Sequence, residues 1–225
     1  MNHYQRVRFF MTVFGAILCS IAIAIFKSSG FGLDPFQCMS QGVYIPFSRS
    51  ISFGSYYMIW SFLLLILDYF LDKKQLGPAT LVHLFLTGYI VDGTLWVIRQ
   101  VLPDPNLFLR IIMLIVAIVV TCIGASLYFT SAQGVSVYDA ISLALFGKNI
   151  KIGNRQIPFR FWRIGTDLIC VIVGICFGLM PGIGTLITAF GMGPLIEYFN
   201  NRLARPMLER AKNEVETFSL TRFGL

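Results

Sequence analysis

Long apolar stretches separated by short polar connections run through most of the chain. A helix that crosses the hydrocarbon core of a bilayer, about 30 Å thick, needs about 20 mostly apolar residues. Six stretches approach or reach that length, which predicts a polytopic membrane protein with almost no mass outside the membrane. The six predicted spans are Phe9–Phe26, Ser55–Leu71, Pro78–Ile98, Phe108–Phe129, Phe161–Met180 and Ile183–Phe199.

Two polar, glycine-containing breaks follow the first and the fourth predicted span. In the first break Asp34 is a favourable N-cap, Pro35 suits the first helical position and Gln37 stands at the third. In the second break Ser136 and Asp139 repeat the same capping spacing. Each break therefore predicts the start of a helix of roughly a dozen residues, too short to span and suited to a re-entrant or interfacial position. The two short helices are predicted at Pro35–Tyr44 and Val137–Phe146.

The two halves of the chain resemble each other. The breaks align glycine with glycine, and a later Gly-x-x-Thr-Leu run occurs in both halves, followed by a carboxylate at the far end of the same helix. This internal similarity predicts a structural repeat. The aligned pairs include Gly32 with Gly134, Asp34 with Ser136, Phe36 with Tyr138, Gln37 with Asp139, Gly77 with Gly182, Thr80 with Thr185, and Asp92 with Glu197.

Each repeat holds three spans, and because three is odd the second repeat must enter the membrane from the opposite side. Inverted repeats of this kind are a common plan among secondary transporters. The predicted fold is an all-α membrane protein of six transmembrane helices, arranged as two inverted three-helix repeats with a short re-entrant or interfacial helix after the first span of each. The predicted parts are residues 1–100 (first repeat), 101–107 (connecting loop), 108–199 (second repeat) and 200–225 (cytoplasmic tail).

Composition and charge support a membrane location. Apolar residues make up 56% of the chain and charged residues 13%, against about a quarter in soluble domains. A net charge of +7 could indicate a nucleic-acid partner, but the basic residues form four groups that the six-span topology places on one side. By the positive-inside rule this asymmetry predicts that both termini lie in the cytoplasm, and it argues against a nucleic-acid partner. The groups are Arg6 and Arg8; Lys73 and Lys74; Lys148, Lys151, Arg155 and Arg160; and Arg202, Arg205, Arg210 and Lys212.

Sequence motifs for catalysis and cofactor binding are absent. There is no Walker A sequence, no H-E-x-x-H, no G-x-S-x-G and no C-x-x-C pair. His83, near the inner end of the third predicted span, is a candidate for proton coupling. A lone histidine without a second ligand in the sequence gives only weak evidence for a metal site. Asp68 is expected to reach the membrane surface or to pair with Lys73 and Lys74. We therefore expect no enzymatic activity, no cofactor and no bound metal.

The paired breaks, the spacing of Arg163 and Asp167, and the Gly-x-Gly-Thr and Gly-x-Gly-Pro-Leu-Ile-Glu runs resemble bacterial YczE/YitT-type integral membrane proteins. The resemblance covers nearly the whole chain from Phe9 to Phe199. It implies a small bacterial inner-membrane protein of a family in which some members are associated with the export of small molecules such as antibiotics. The first break reads Asp-Pro-Phe-Gln where the resemblance implies Pro-Trp-Asp, so Gln37 replaces an acidic residue.

Six polar residues away from the loops form the candidate substrate site. Arg163 and Asp167 are four residues apart, hence on one helix face, and a charge in that apolar run needs a partner or a wet cavity. The capped helix starts present free backbone N–H groups that can receive an anionic group. Two alternatives stay open: the caps satisfy those donors themselves, and Arg163 and Asp167 form an internal ion pair. The candidate substrate-binding residues are Asp34, Gln37, Ser136, Asp139, Arg163 and Asp167.

The leading functional prediction is a secondary transporter or exporter of a small organic molecule, embedded in the lipid bilayer. The inverted repeat and the broken, capped segments favour it. The alternative is a non-transporting accessory or regulatory membrane protein that supports a membrane-associated pathway, because few charged residues lie deep in the membrane. A membrane-embedded enzyme is a third hypothesis, and no motif in the sequence supports it.

Overall fold

The computed structural model describes residues 3–72, 76–148, 151–152, 155–156 and 159–223. The fold is helical apart from one antiparallel pair of two-residue strands, and helices form at all six predicted spans and at both predicted short segments. The predicted basic pair Lys73–Lys74 lies outside the described residues. The helices are α1 (His3–Ser29), α2 (Pro35–Tyr44), α3 (Phe53–Asp72), α4 (Pro78–Val101), α5 (Leu107–Ser131), α6 (Val137–Gly147), α7 (Phe159–Cys176), α8 (Ile183–Phe199) and α9 (Arg205–Phe223); the strands are β1 (Lys151–Ile152) and β2 (Arg155–Gln156).

Within the described residues, α1, α3, α4 and α5 are long and apolar enough to cross a membrane. The other two predicted spans form helices but differ from these four. Helix α7 carries Arg160, Arg163 and Asp167 within 18 residues, and α8 has only 17 residues, or roughly 25 Å. Many large apolar side chains face outward, among them Phe70 and Phe190, which are 81% and 70% exposed. These are the helices of a membrane protein; six spans and their inverted arrangement stay predictions.

Glycines in left-handed backbone conformations interrupt the helices at both breaks. Gly32 has φ +110° and Gly134 has φ +100°, a region that side chains rarely adopt. A Cβ on Gly32 would lie 2.7 Å from the backbone nitrogen of Gly182, and one on Gly134 would lie 2.6 Å from that of Gly77. Each break is therefore packed against the start of the last spanning segment of the other half, at a distance that only glycine permits.

Side-chain caps start the helices that meet the breaks. The Asp34 carboxylate accepts a hydrogen bond from the Gln37 backbone N–H at 3.1 Å, as predicted for the N-cap of α2. At the start of α4, the Thr80 hydroxyl accepts from the Gly77 N–H at 3.2 Å and donates to the Val135 carbonyl of the second break at 2.7 Å. The backbone polar groups at these helix starts are thus satisfied inside the protein, as a lipid environment requires.

The two halves interlock. Helices α1 and α5 cross where a Cβ on Gly15 would lie 2.6 Å from the carbonyl oxygen of Gly124. The short helix α2 packs against α7 of the second half, and the short helix α6 packs against α3 of the first half as well as against α7. Because α2 and α6 each contact the opposite half, both breaks are brought to the centre of the molecule.

Candidate functional site

Asp139, in the first turn of α6, is the centre of the buried polar network. Only 4% of the residue is exposed. The Ser136 hydroxyl donates to Asp139 Oδ2 at 2.7 Å and accepts from the Asp139 backbone N–H at 3.2 Å, so the predicted capping pair forms. The Tyr128 hydroxyl, from α5, donates to the same carboxylate. Three elements of the second half therefore fix the position of this one charge.

Arg163 of α7 pairs with two carboxylates. Its Nη1 binds Asp139 Oδ1, and its Nε lies 3.6 Å from Asp167 Oδ1 one helical turn further along α7. The two carboxylate side chains are 6% and 10% exposed, whereas the Arg163 side chain is 34% exposed. The internal ion pair considered as an alternative does form, and Asp139 extends it to a buried triad whose guanidinium is the most accessible member.

Tyr138 joins this ion triad to the first break. Its hydroxyl donates to Asp167, and its ring centroid lies 4.5 Å from Cζ of Arg163, in cation–π geometry. The ring of Phe36, which follows the Asp34 cap by two residues, stacks on the Tyr138 ring with the centroids 4.7 Å apart. The two breaks thus meet through aromatic rings directly beside the charges.

Hydroxyl groups complete the network behind Arg163. The Thr166 hydroxyl donates to the Arg163 carbonyl at 2.9 Å and lies 2.9 Å from the Ser142 hydroxyl of α6. It also lies 3.3 Å from the Tyr138 hydroxyl, whose proton is donated to Asp167. These contacts tie α6 to α7 around the ion triad and hold the guanidinium in register with both carboxylates.

Asp34 lies within electrostatic reach of Asp139, Arg163 and Asp167 but makes its hydrogen bond locally, to Gln37. Burial raises the pKa of Asp34 to about 6, although the Gln37 N–H and the Arg163 charge act in the opposite direction. Gln37 is 2% exposed, and its Oε1 has no hydrogen-bond partner among the described residues. The first break therefore contributes one carboxylate and one unpaired amide oxygen.

Asp139 behaves in the opposite way to Asp34. Burial alone would raise the pKa of the Asp139 carboxyl, but the Arg163 charge and the hydrogen bonds from Tyr128 and Ser136 outweigh burial and hold it below its usual range. At neutral pH the second half therefore holds a charged carboxylate, Asp139, that is hydrogen-bonded by Tyr128 and Ser136. The first half holds Asp34, whose carboxyl is a weaker acid than usual.

The structure brings four of the six predicted residues, namely Ser136, Asp139, Arg163 and Asp167, into one bonded network, with Asp34 beside it. Gln37 is buried close by but makes no side-chain hydrogen bond to the described residues of the network. Sequence reasoning missed Tyr138 and Tyr128. The position of Tyr138 between Ser136 and Asp139 was an available signal. For Tyr128 there was none, because it stands in a long apolar run.

Asp68 departs from one of its two predicted roles, that of reaching the membrane surface. It is completely buried on α3, so it does not reach the membrane surface, and its two carboxylate oxygens have no hydrogen-bond partner among the described residues. The proposed partners, Lys73 and Lys74, lie outside those residues. In the described ranges no three histidine, cysteine, aspartate or glutamate side chains group closely enough to hold a metal ion.

An open, mainly apolar cleft of about 500 Å³ lies between α3 and α4, and none of the six predicted residues lines it. The ion triad is thus packed between helices rather than displayed in this cleft. The lining residues are Leu65, Ile66, Tyr69, Phe70, Leu76, Gly77, Thr80 and Leu81.

Comparison with known proteins identifies a bacterial family. The sequence model of DUF6198, a family of unknown function, matches residues 6–201. An uncharacterized protein of Haemophilus influenzae is 22% identical over 193 residues, which cover 86% of this chain and 83% of the relative. The uncharacterized protein YyaS of Bacillus subtilis is 25% identical over 196 residues, 87% of this chain and 91% of the relative. No solved structure matches the chain. These matches do not bear on the narrower YczE/YitT resemblance.

Proposed function

We propose that this chain, which belongs to the DUF6198 family of unknown function, is a secondary transporter of the bacterial inner membrane that moves, and most simply exports, a small organic molecule. The observation that carries the proposal is the meeting of the two capped breaks at a buried ion triad. Discontinuous helices that meet near the centre of a membrane protein are the usual setting of a transporter's substrate site. The proposal involves no chemical reaction and no cofactor.

Reciprocal contacts support an inverted repeat as the basis of this function. Gly32 of the first break packs on Gly182 at the start of α8, and Gly134 of the second break packs on Gly77 at the start of α4. Sequence alignment pairs Gly32 with Gly134 and Gly77 with Gly182, so exchanging the halves converts one contact into the other. A two-fold relation of this kind allows the two halves to exchange conformations, which alternating access requires.

Arg163 is the proposed switch. It is bound to Asp139 and Asp167 and is also the most exposed member of the triad, so an incoming anionic group reaches the guanidinium by replacing one carboxylate. Asp167 is the easier to replace, because its contact with Arg163 is longer and it has one further hydrogen bond, from Tyr138, whereas Asp139 has two, from Ser136 and Tyr128. The pathway is then lined by the triad, by Asp34, Gln37 and Ser136, and by the stacked aromatic pair.

A two-stage experiment tests this proposal. Purified protein is first screened by thermal unfolding against a panel of metabolites and drugs, and a stabilising compound is then used for flux measurements in proteoliposomes. Asp167→Asn should remove flux while the protein still folds, since the variant keeps the shape but loses the charge that competes for Arg163. Asp104→Asn makes the same chemical change at an exposed loop position and should keep wild-type flux. Full flux in Asp167→Asn would refute the proposed pathway.

One observation favours the second candidate, an accessory or regulatory membrane protein. The triad is internally paired and hydrogen-bonded, as a structural element would be. In that case Asp167→Asn reduces stability without any ligand dependence, and no compound in the panel shifts the unfolding temperature of the wild-type protein.

A further inference from the structure

A second set of buried polar groups lies between α3 and α4, apart from the ion triad. Asp68 is 0% exposed, and both of its carboxylate oxygens lack a hydrogen-bond partner among the described residues. On α4, the same is true of Nε2 of His83 and of the hydroxyl of Thr87, in residues that are 8% and 2% exposed. His83 and Thr87 are four residues apart, hence on one face of the helix.

Helix geometry places Asp68 and His83 at the same depth. Asp68 stands four residues before the end of α3, and His83 stands five residues after the start of α4. At 1.5 Å per residue these offsets correspond to roughly 6 and 8 Å from the connection that joins the two packed helices. Both α3 and α4 also pack against α6, the helix that carries Asp139.

A buried carboxylate without a partner is costly unless it is neutral or accompanied by a cation. A bound proton removes the charge of Asp68 and with it the largest part of the cost of burying the group. A hard metal cation needs about six oxygen ligands, whereas the unpartnered oxygens of Asp68 and Thr87 provide three. The chemistry of this pocket therefore favours a proton.

We propose that Asp68 is a proton-binding site and that His83 is the group through which it exchanges protons with water. The step is a simple transfer: an N–H bond of protonated His83 breaks as an O–H bond forms on Asp68, and the reverse transfer releases the proton. In the context of the proposed function, on which this part of the inference rests, the proton is the coupling ion of the transporter.

Tyr128 connects this pocket to the ion triad. Its ring packs edge-on against the His83 ring, with the centroids 4.7 Å apart, and its hydroxyl donates to Asp139. Besides Asp68 and His83 themselves, Asp139 on α6 acts on the pocket directly, and Tyr128 on α5 packs against His83. Cys19 on α1 and Arg163 on α7 act in turn on Tyr128. A change of charge at His83 is thereby transmitted to Asp139 through one side chain.

Infrared spectroscopy of the purified protein tests the proposal directly, because a protonated carboxylic acid has a C=O stretching band that a carboxylate lacks. We expect this band in the wild-type protein at neutral pH, its loss in Asp68→Asn, and its retention in the matched surface variant Asp104→Asn. His83→Gln should keep the band but slow its shift on transfer to heavy water, because a relay group sets the rate at which the Asp68 proton exchanges with solvent.

If Asp68→Asn does not fold, Asp68→Glu takes its place, because a glutamic acid band at a shifted frequency identifies the same position. A carboxylic-acid C=O band that is the same in the wild-type protein and Asp68→Asn, or in the wild-type protein and Asp68→Glu, would overturn the proposal, since Asp68 would then be ionised. The measurement requires no substrate. A negative infrared result therefore does not refute the transport proposal, and a negative flux result does not refute the proton site.

Discussion

The ring of Phe36 stacks on the ring of Tyr138, with the centroids 4.7 Å apart and the planes inclined by 12°. The two residues occupy the same position in the two breaks of the chain. Their contact lies where the halves meet, and Tyr138 continues it to Asp167 and Arg163. A single aromatic pair thus couples the geometry of the first break to the charges of the second half.

Alanine at either break glycine should destabilise the protein. Gly32→Ala and Gly134→Ala place a side chain in a left-handed conformation and within 2.8 Å of neighbouring backbone, so each should cost about 2 kcal/mol or more. Gly93→Ala is the matched control, because nothing lies within 4 Å of a Cβ there and the helix gains propensity. Thermal unfolding in one detergent measures all three. Equal unfolding temperatures for the three variants would contradict the close packing of the breaks.

The members of the ion triad should differ in their contribution to stability. Arg163→Ala leaves two buried carboxylates unpaired and should cost about 3–5 kcal/mol, whereas Asp167→Ala leaves Arg163 paired with Asp139 and should cost less. The double variant Arg163→Ala/Asp167→Ala should be more stable than Arg163→Ala, because one unpaired charge is removed. Denaturant unfolding checks this order.

The exposed Arg202→Ala variant controls for the loss of an arginine elsewhere in the chain. If the losses caused by Arg163→Ala and Asp167→Ala simply add in the double variant, the two side chains do not act as a pair.

The sequence predicted the helices well because bilayer-length apolar runs and capping residues act locally. Asp34 and Pro35 locate the start of α2 to the residue, and the predicted and observed ends of that helix coincide at Tyr44. The repeat likewise identified Phe36 and Tyr138 as equivalent positions.

The contacts between distant segments could not be predicted in the same way. Tyr128 reaches Asp139 from an apolar helix whose sequence carries no sign of which face is inward. Asp68 was expected near the surface because it stands near the end of its helix and lysines follow it. It lies instead on the side of α3 that packs against other helices, so it is completely buried. Such features depend on how helices rotate and cross, which results from packing over the whole molecule.

The stability of the protein should depend on pH through Asp34. Its pKa rises from 3.8 to about 6 on folding, so the folded state holds the proton more tightly than the unfolded state. The contribution to the free energy of unfolding is complete below the unfolded pKa and is lost as pH rises through the folded one. Asp34→Asn keeps a favourable N-cap without a titratable group.

Thermal unfolding of both proteins at several pH values measures this effect. Relative to Asp34→Asn, the wild-type protein should lose stability between about pH 4 and about pH 6 and no further above that range. A stability difference that stays constant across this range would show that Asp34 has an ordinary pKa in the folded protein.

The last prediction concerns topology. Reporter fusions at Lys73, at about Pro105 and at about Asn154 should read cytoplasm, periplasm and cytoplasm; Lys73 and Asn154 lie outside the described residues. The basic residues gather in four groups along the chain, and cytoplasmic loops attract such groups. Six crossings put all four groups on one side, with α7 spanning despite its charges and α8 despite its length; four crossings, in which neither α7 nor α8 spans, place the groups in the same way.

Fusions at Asn154 and at about Pro181 decide between the arrangements. A cytoplasmic signal at Asn154 and at the C-terminus, together with a periplasmic signal from the fusion at about Pro181 between α7 and α8, requires these two helices to cross as a pair and sets the second half upside down relative to the first. A periplasmic signal at Asn154 would mean that α6 crosses the membrane, since only that short helix lies between α5 and the fusion point. The halves would then be parallel, and the reciprocal glycine contacts would need an explanation other than an inverted repeat.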